Sequence, residues 1–93
     1  ESELNIAMKH LSKSLQYFYL EDYFLALNEA EEVIRRFPTL AIAYARKGTI
    51  YYQMGNFQKA TLNWNLALKH DPEYTEVQNM LLNIKTELEN NNN

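Results

Sequence analysis

A single offset organises this chain. Pro38 and Pro72, its only prolines, stand 34 residues apart. The same offset brings Tyr17 onto Tyr51, Phe18 onto Tyr52, Tyr23 onto Phe57, Ala26 onto Ala60, Ile34 onto Leu68 and Ala7 onto Ala41. A period between about 20 and 50 residues marks an array of supersecondary units, none able to bury its apolar face alone. With two glycines and two prolines in all, the chain has too few turn residues for a many-stranded β fold. Helical units are expected instead.

Punctuation inside each unit predicts two helices, over about 4–20 and 22–37 in the first unit and 40–54 and 57–70 in the second. Gly55 suits a left-handed helix end, and Asn56 suits the N-cap that follows it. Glu21-Asp22 makes the matching joint in the first unit with no glycine. Asp71-Pro72 closes the second unit because proline cannot continue a helical ladder, and Thr39 is placed to cap the helix after Pro38. A fifth helix is expected over about 74–89, where Tyr74, Val77, Leu81, Ile84 and Leu88 fall three and four apart and make one stripe. The tail Asn90–Asn93 has nothing to bury and is expected to fray.

The stretch from Ala41 through Tyr44, Gly48, Tyr51, Tyr52, Gly55, Phe57 and Ala60, then Trp64, Ala67-Leu68 and Asp71-Pro72, resembles the tetratricopeptide repeat nearly throughout. Lys47 departs from it, standing where the family usually has leucine. The first unit is looser, with Ser14 in place of the glycine, His10 in place of the large aromatic and Lys13 again in place of leucine. The resemblance covers Ala7 to Pro72. It implies an all-α superhelix of five antiparallel helices: one repeat at about 7–40, a second at about 41–74, and a C-terminal capping helix at about 74–89. Independently of the family, Gly48 and Ala60, like Ser14 and Ala26, are small where two helices of a hairpin must approach closely. Trp64 is expected in the core, filling the space they leave.

The face of each leading helix that meets the preceding unit is apolar in the third helix (Ala43, Ile50 and Met54, with Lys47 laying its stem along it) and in the fifth. In the first helix the matching residues are Lys9, Lys13, Gln16 and Leu20, so the array is expected to begin here. The chain opens at Glu1, as an excised or processed segment would.

The resemblance further implies a concave face lined by the leading helices and used to bind another protein. Its expected contact residues are Met8, Leu11, Leu15, Phe18 and Tyr19 from the first helix. The third contributes Ile42, Ala45, Arg46, Thr49, Tyr52 and Gln53, and the fifth Asn79 and Asn83, with Glu76 and Met80 on the same side. Leu4, Met8, Leu11, Leu15 and Phe18 form a stripe with two readings: core of the first hairpin, or an open apolar groove for a partner peptide or helix. Self-association through the stripe, giving a homo-oligomer, is the alternative to a separate partner. Some adaptors of the family grip a C-terminal carboxylate with lysines, asparagines and an arginine. Here the matching places hold Leu11, Leu15, Arg46, Glu76 and Met80, which removes that clamp. Arg46 is expected to be solvated or to pair with one acidic side chain.

Other chemistry finds little support. Net charge is −3 with scattered basic residues, so nucleic acid is a poor partner. His10 and His70 lie in different hairpins with no metal-pair spacing, and no glycine-rich phosphate loop exists. His70 suits the favourable end of its helix dipole. Glu31 with Arg35, and Glu32 with Arg36, are spaced for i,i+4 pairing. Neither catalysis nor a cofactor nor a metal is expected. The chain has no cysteine and no apolar run near the roughly 20 residues a membrane span needs.

Overall fold

The computed structural model describes residues 2–91. Those residues form five α-helices: α1 (Glu3–Tyr19), α2 (Tyr23–Arg36), α3 (Ala41–Gln53), α4 (Phe57–His70) and α5 (Thr75–Asn91). α4 begins one 34-residue period after α2, and α5 one period after α3. The connecting hydrogen bonds repeat at the same offset. Asp22 N donates to Tyr17 O and Asn56 N to Tyr51 O, each at 2.9 Å, while Leu40 N donates to Phe37 O and Tyr74 N to Asp71 O, each at 3.1 Å. The side chains of Asp22 and Asn56 both cap the following helix, accepting from Leu25 N and Lys59 N. These are the N-caps that short polar side chains supply to orphan backbone donors.

Tight turns join the helices of each hairpin, and both require a residue at positive φ. Gly55 adopts φ 81° and Glu21, its counterpart, φ 61°. The left-handed region costs a residue with a Cβ roughly 1–2 kcal/mol, so the first turn is strained where the second is not.

The core is a chain of three clusters along the stack. Ala7 and Leu11 of α1 pack with Val33 of α2 and Ala43 of α3. Ala26 and Leu27 pack with Ile50, flanked by Tyr17, Phe18, Tyr23 and Tyr51. Trp64 anchors the third cluster, joined by Ala45, Ala60, Ala67, Val77 and Ile84. Trp64 is 2% exposed, and a Cβ built on Gly48 would lie 2.3 Å from its Cδ1. Glycine is therefore demanded by the indole that lies on it. In the first hairpin Ser14, fully buried, donates its hydroxyl to Ala26 O at 2.8 Å.

Three expectations need correction, and a fourth residue gains a further contact. Thr39 caps nothing: Leu40 is the N-cap of α3 and makes no side-chain cap bond. α5 continues through Asn90 and Asn91 rather than ending near Glu89, while Asn92 and Asn93 lie outside the described residues. Glu31 does not pair with Arg35; it reaches Lys47 of α3 at 3.7 Å, while Glu32 takes both Arg35 and Arg36. His70 stacks on Tyr44 with ring centroids 5.2 Å apart, a packing role beside its helix-end position.

Candidate functional site

α1, α3 and α5 line one side of the stack, and an open cavity of about 280 Å³ lies among them. α1 contributes Leu15, Phe18 and Tyr19; α3 contributes Ile42, Ala45, Arg46 and Thr49; the start of α5 contributes Glu76 and Met80, with Tyr74 just before it. The groove continues in both directions. Phe18 and Tyr19 are shared with a cavity that also touches Glu21, Tyr23 and Gln53. Thr49 and Met80 are shared with a cavity of about 150 Å³ whose other walls are Tyr52, Trp64, Asn83, Ile84 and Glu87. The Thr49 hydroxyl lies 3.8 Å from Met80 Sδ, so these two side chains form the partition between the central and distal cavities.

Seven of the thirteen sequence-predicted contact residues meet at the central cavity: Leu15, Phe18, Tyr19, Ile42, Ala45, Arg46 and Thr49. Tyr52 and Asn83 belong to the distal cavity and Gln53 to the cavity beside the end of α1. Met8 and Asn79 are exposed but line none of these cavities. Leu11 is the clear departure. It is 2% exposed and packs in the first core cluster, whereas Leu15 is 37% exposed in the groove.

Helical geometry explains the split. Met8 and Leu15 share one edge of the stripe and Leu11 and Phe18 the other, because seven residues make almost two whole turns. The two edges stand about 60° apart at 3.6 residues per turn. The Leu11–Phe18 edge, beside Ala7 and Ser14, turns toward α2 and α3. The Met8–Leu15 edge turns outward. The stripe is therefore divided: Leu11 is core, Phe18 is half-buried and borders the groove, Leu15 is exposed in it, and Met8 is exposed outside it.

The sequence pattern puts Tyr74 on the apolar stripe of the fifth helix. It is half-buried against the Trp64 cluster and also borders the groove. The 34-residue offset carried a signal for this, since it pairs Tyr74 with Leu40, a residue that packs against a core from the same interhelical joint.

Arg46 is the groove's one cation, and it is not simply solvated. Its Nη1 donates to Leu11 O at 3.0 Å, bridging α3 to α1. Burial pushes its pKa down from the ordinary arginine value, opposed by the neighbouring Tyr74 and Tyr19, yet a guanidinium stays charged at any physiological pH. Among the described residues no carboxylate comes within ion-pair distance of it. At the distal cavity, Tyr52 Oη donates to Glu87 Oε2 at 3.0 Å, and that bond, with a smaller effect of burial, raises the Tyr52 pKa. Burial raises that of Tyr74.

Residues 41–74 match the family model for the tetratricopeptide repeat. These residues are a tetratricopeptide repeat. No curated protein matches the chain. Tetratricopeptide repeats as a class are non-catalytic and mediate protein–protein interaction, and the all-α stack around residues 41–74 has the repeat's helical architecture. Among the described residues no helix is long and apolar enough to cross a membrane.

Proposed function

We propose that this chain is a protein-interaction module that holds a segment of another polypeptide in the groove formed by α1, α3 and α5. In this reading residues 7–40 act as a first repeat, residues 41–74 as the second, and α5 as a helix that closes the stack. The observation that carries it is the continuous, open, mainly apolar groove in which Leu15 and the 75%-exposed Tyr19 face residues of α3 and α5. Monomeric proteins keep contiguous exposed apolar surface mainly where they bind something. Aromatic side chains that keep a polar tip suit such contacts.

The test is a selection of linear peptides from a random displayed library against the domain, followed by amide chemical-shift mapping of the binders. Footprints on Leu15, Ile42, Thr49 and Met80 are expected, with loss of binding in Thr49→Arg, which places a long charged chain across the groove. Binders that map instead to the outer faces of α2 and α4 would sink the reading. Mass measured over a hundredfold concentration range (by light scattering) tests self-association: a dimer dissociated by Leu15→Asp would make the partner a second copy of this chain.

A further inference from the structure

The groove contains an electrostatic imbalance that its apolar lining makes expensive. Arg46 has given up part of its hydration and has one backbone acceptor, Leu11 O, for a guanidinium with five donors. A half-buried cation lacking a counter-charge carries a desolvation cost that an arriving carboxylate offsets through short, charge-assisted hydrogen bonds. Glu76 lines the same cavity without reaching ion-pair distance of Arg46. It does not supply that carboxylate, and its own charge opposes a run of acids. Glu87 guards the distal cavity in the same way.

Beyond the partition made by Thr49 and Met80, the distal cavity of about 150 Å³ has largely apolar walls from Tyr52, Trp64 and Ile84. A cavity of that size holds about one benzene ring. It therefore matches one phenylalanine or leucine side chain. Arg46 and Tyr52 are six residues apart on α3, a rise of about 9 Å along its axis, and they reach toward α1 and α5 respectively, so an extended chain needs about three residues or more to join the two places. Methionine at the partition can shift to admit differently shaped side chains.

We propose that the segment held by this groove is an extended one carrying a single side-chain carboxylate for Arg46 and, three or four residues away, a phenylalanine- or leucine-sized side chain for the cavity walled by Tyr52 and Trp64. This rests on the groove reading above. The carboxylate is assigned to a side chain rather than to a chain terminus because the groove branches beyond Arg46, past Gln53 on the α1 side and past Tyr52 and Asn83 on the α5 side. A passing chain fits this layout, whereas an ending chain would leave half of it empty.

The test uses the 93-residue chain, isotope-labelled, titrated with acetylated and amidated peptides that differ at one position. A peptide with Asp and Phe three residues apart is expected to shift the amides of Arg46, Thr49 and Tyr52. Replacing Asp by Asn should weaken it about tenfold or more, replacing Phe by Ala should weaken it similarly, and adding three more acids should weaken it as well. A peptide with a free C-terminal carboxylate and no Asp should bind no better than the Asn peptide. Arg46→Gln, which keeps a donor for Leu11 O, should make the Asp and Asn peptides equal. Should that variant not fold, the Asp preference in the unaltered chain must shrink as salt rises, because screening weakens the pair.

Equal binding of the Asp and Asn peptides overturns the proposal, as does tighter binding of the free-terminus peptide. If library-selected peptides still dock in the groove under those outcomes, the groove reading stands and only this inference falls. If the selected peptides avoid the groove, both fall together.

Discussion

At position 48 the second hairpin has no side chain, and an indole lies in the gap. At the matching position 14 the first hairpin has a serine, and Ala30 stands where the repeat would place Trp64. The backbones around these positions make the same turn and cap hydrogen bonds at the 34-residue offset, yet the helices are held together differently. α3 and α4 lock by shape, a large ring seated on bare backbone. α1 and α2 are tied by polar bonds: Ser14 Oγ to Ala26 O, and His10 Nδ1 to Glu29 Oε2 at 2.5 Å. The tight packing even leaves Trp64 Nε1 buried with no hydrogen-bond partner, a cost the indole's contact area must outweigh. The contrast teaches that the period specifies where the chain turns, while the means of closing each hairpin is free to vary.

The largest expected effect falls on the shape-locked hairpin. Trp64→Ala should destabilise the chain by about 3–5 kcal/mol in denaturant unfolding, and a loss below about 1 kcal/mol would mean that the indole is not what holds α3 to α4. Next, Gly48→Ala should cost on the order of 1–3 kcal/mol through overpacking, because the new methyl meets a ring rather than a flexible chain end. At the matching position Ser14→Ala should cost only about 1 kcal/mol, the worth of one buried hydrogen bond. If the two substitutions cost the same, the distinction between shape and polar ties collapses.

The two turns offer a smaller contrast of opposite sign. Glu21→Gly should stabilise by about 1 kcal/mol by relieving the left-handed strain, and Gly55→Ala should destabilise by about the same amount. Nothing lies within 4 Å of a Cβ at Gly55, so that second cost is purely conformational. Thermal melts of both variants measure it.

The smallest effect is in acid. Arg35 and then Arg36 hydrogen-bond the Glu32 carboxylate and hold its pKa at about 2, below the usual carboxylate range. A depressed folded pKa means the contribution is present above the ordinary value of 4.5 and is lost as pH falls toward 2. A Glu32 carboxyl resonance titrating near 2, and moving up toward the ordinary value in Arg35→Ala, would bear this out. The pair is exposed, so the effect on stability is slight.

Much of the fold was legible because it repeats. Gly55 and Asn56 at one turn, Glu21 and Asp22 at the other, and the proline spacing placed the helix ends to within about two residues. Gly48, Ala60 and Trp64 could be assigned to a close approach on size alone. The groove was legible only in part. Leu11 and Leu15 have the same chemistry and lie four residues apart, and which of them the neighbouring helices cover depends on a rotation of α1 that spacing does not encode. Arg46 likewise reads as an ordinary surface cation until its reach across to α1 is seen.

The recurrence of the joint at Leu40 and again at Tyr74 has a consequence for how long such a molecule must be. Nothing in that junction chemistry counts how many tiles stand on either side of it. Splicing a duplicate of residues 41–74 after position 74 would meet a seam the chain already knows how to make. Reach along the axis is thus a matter of genetic arithmetic rather than of architectural closure.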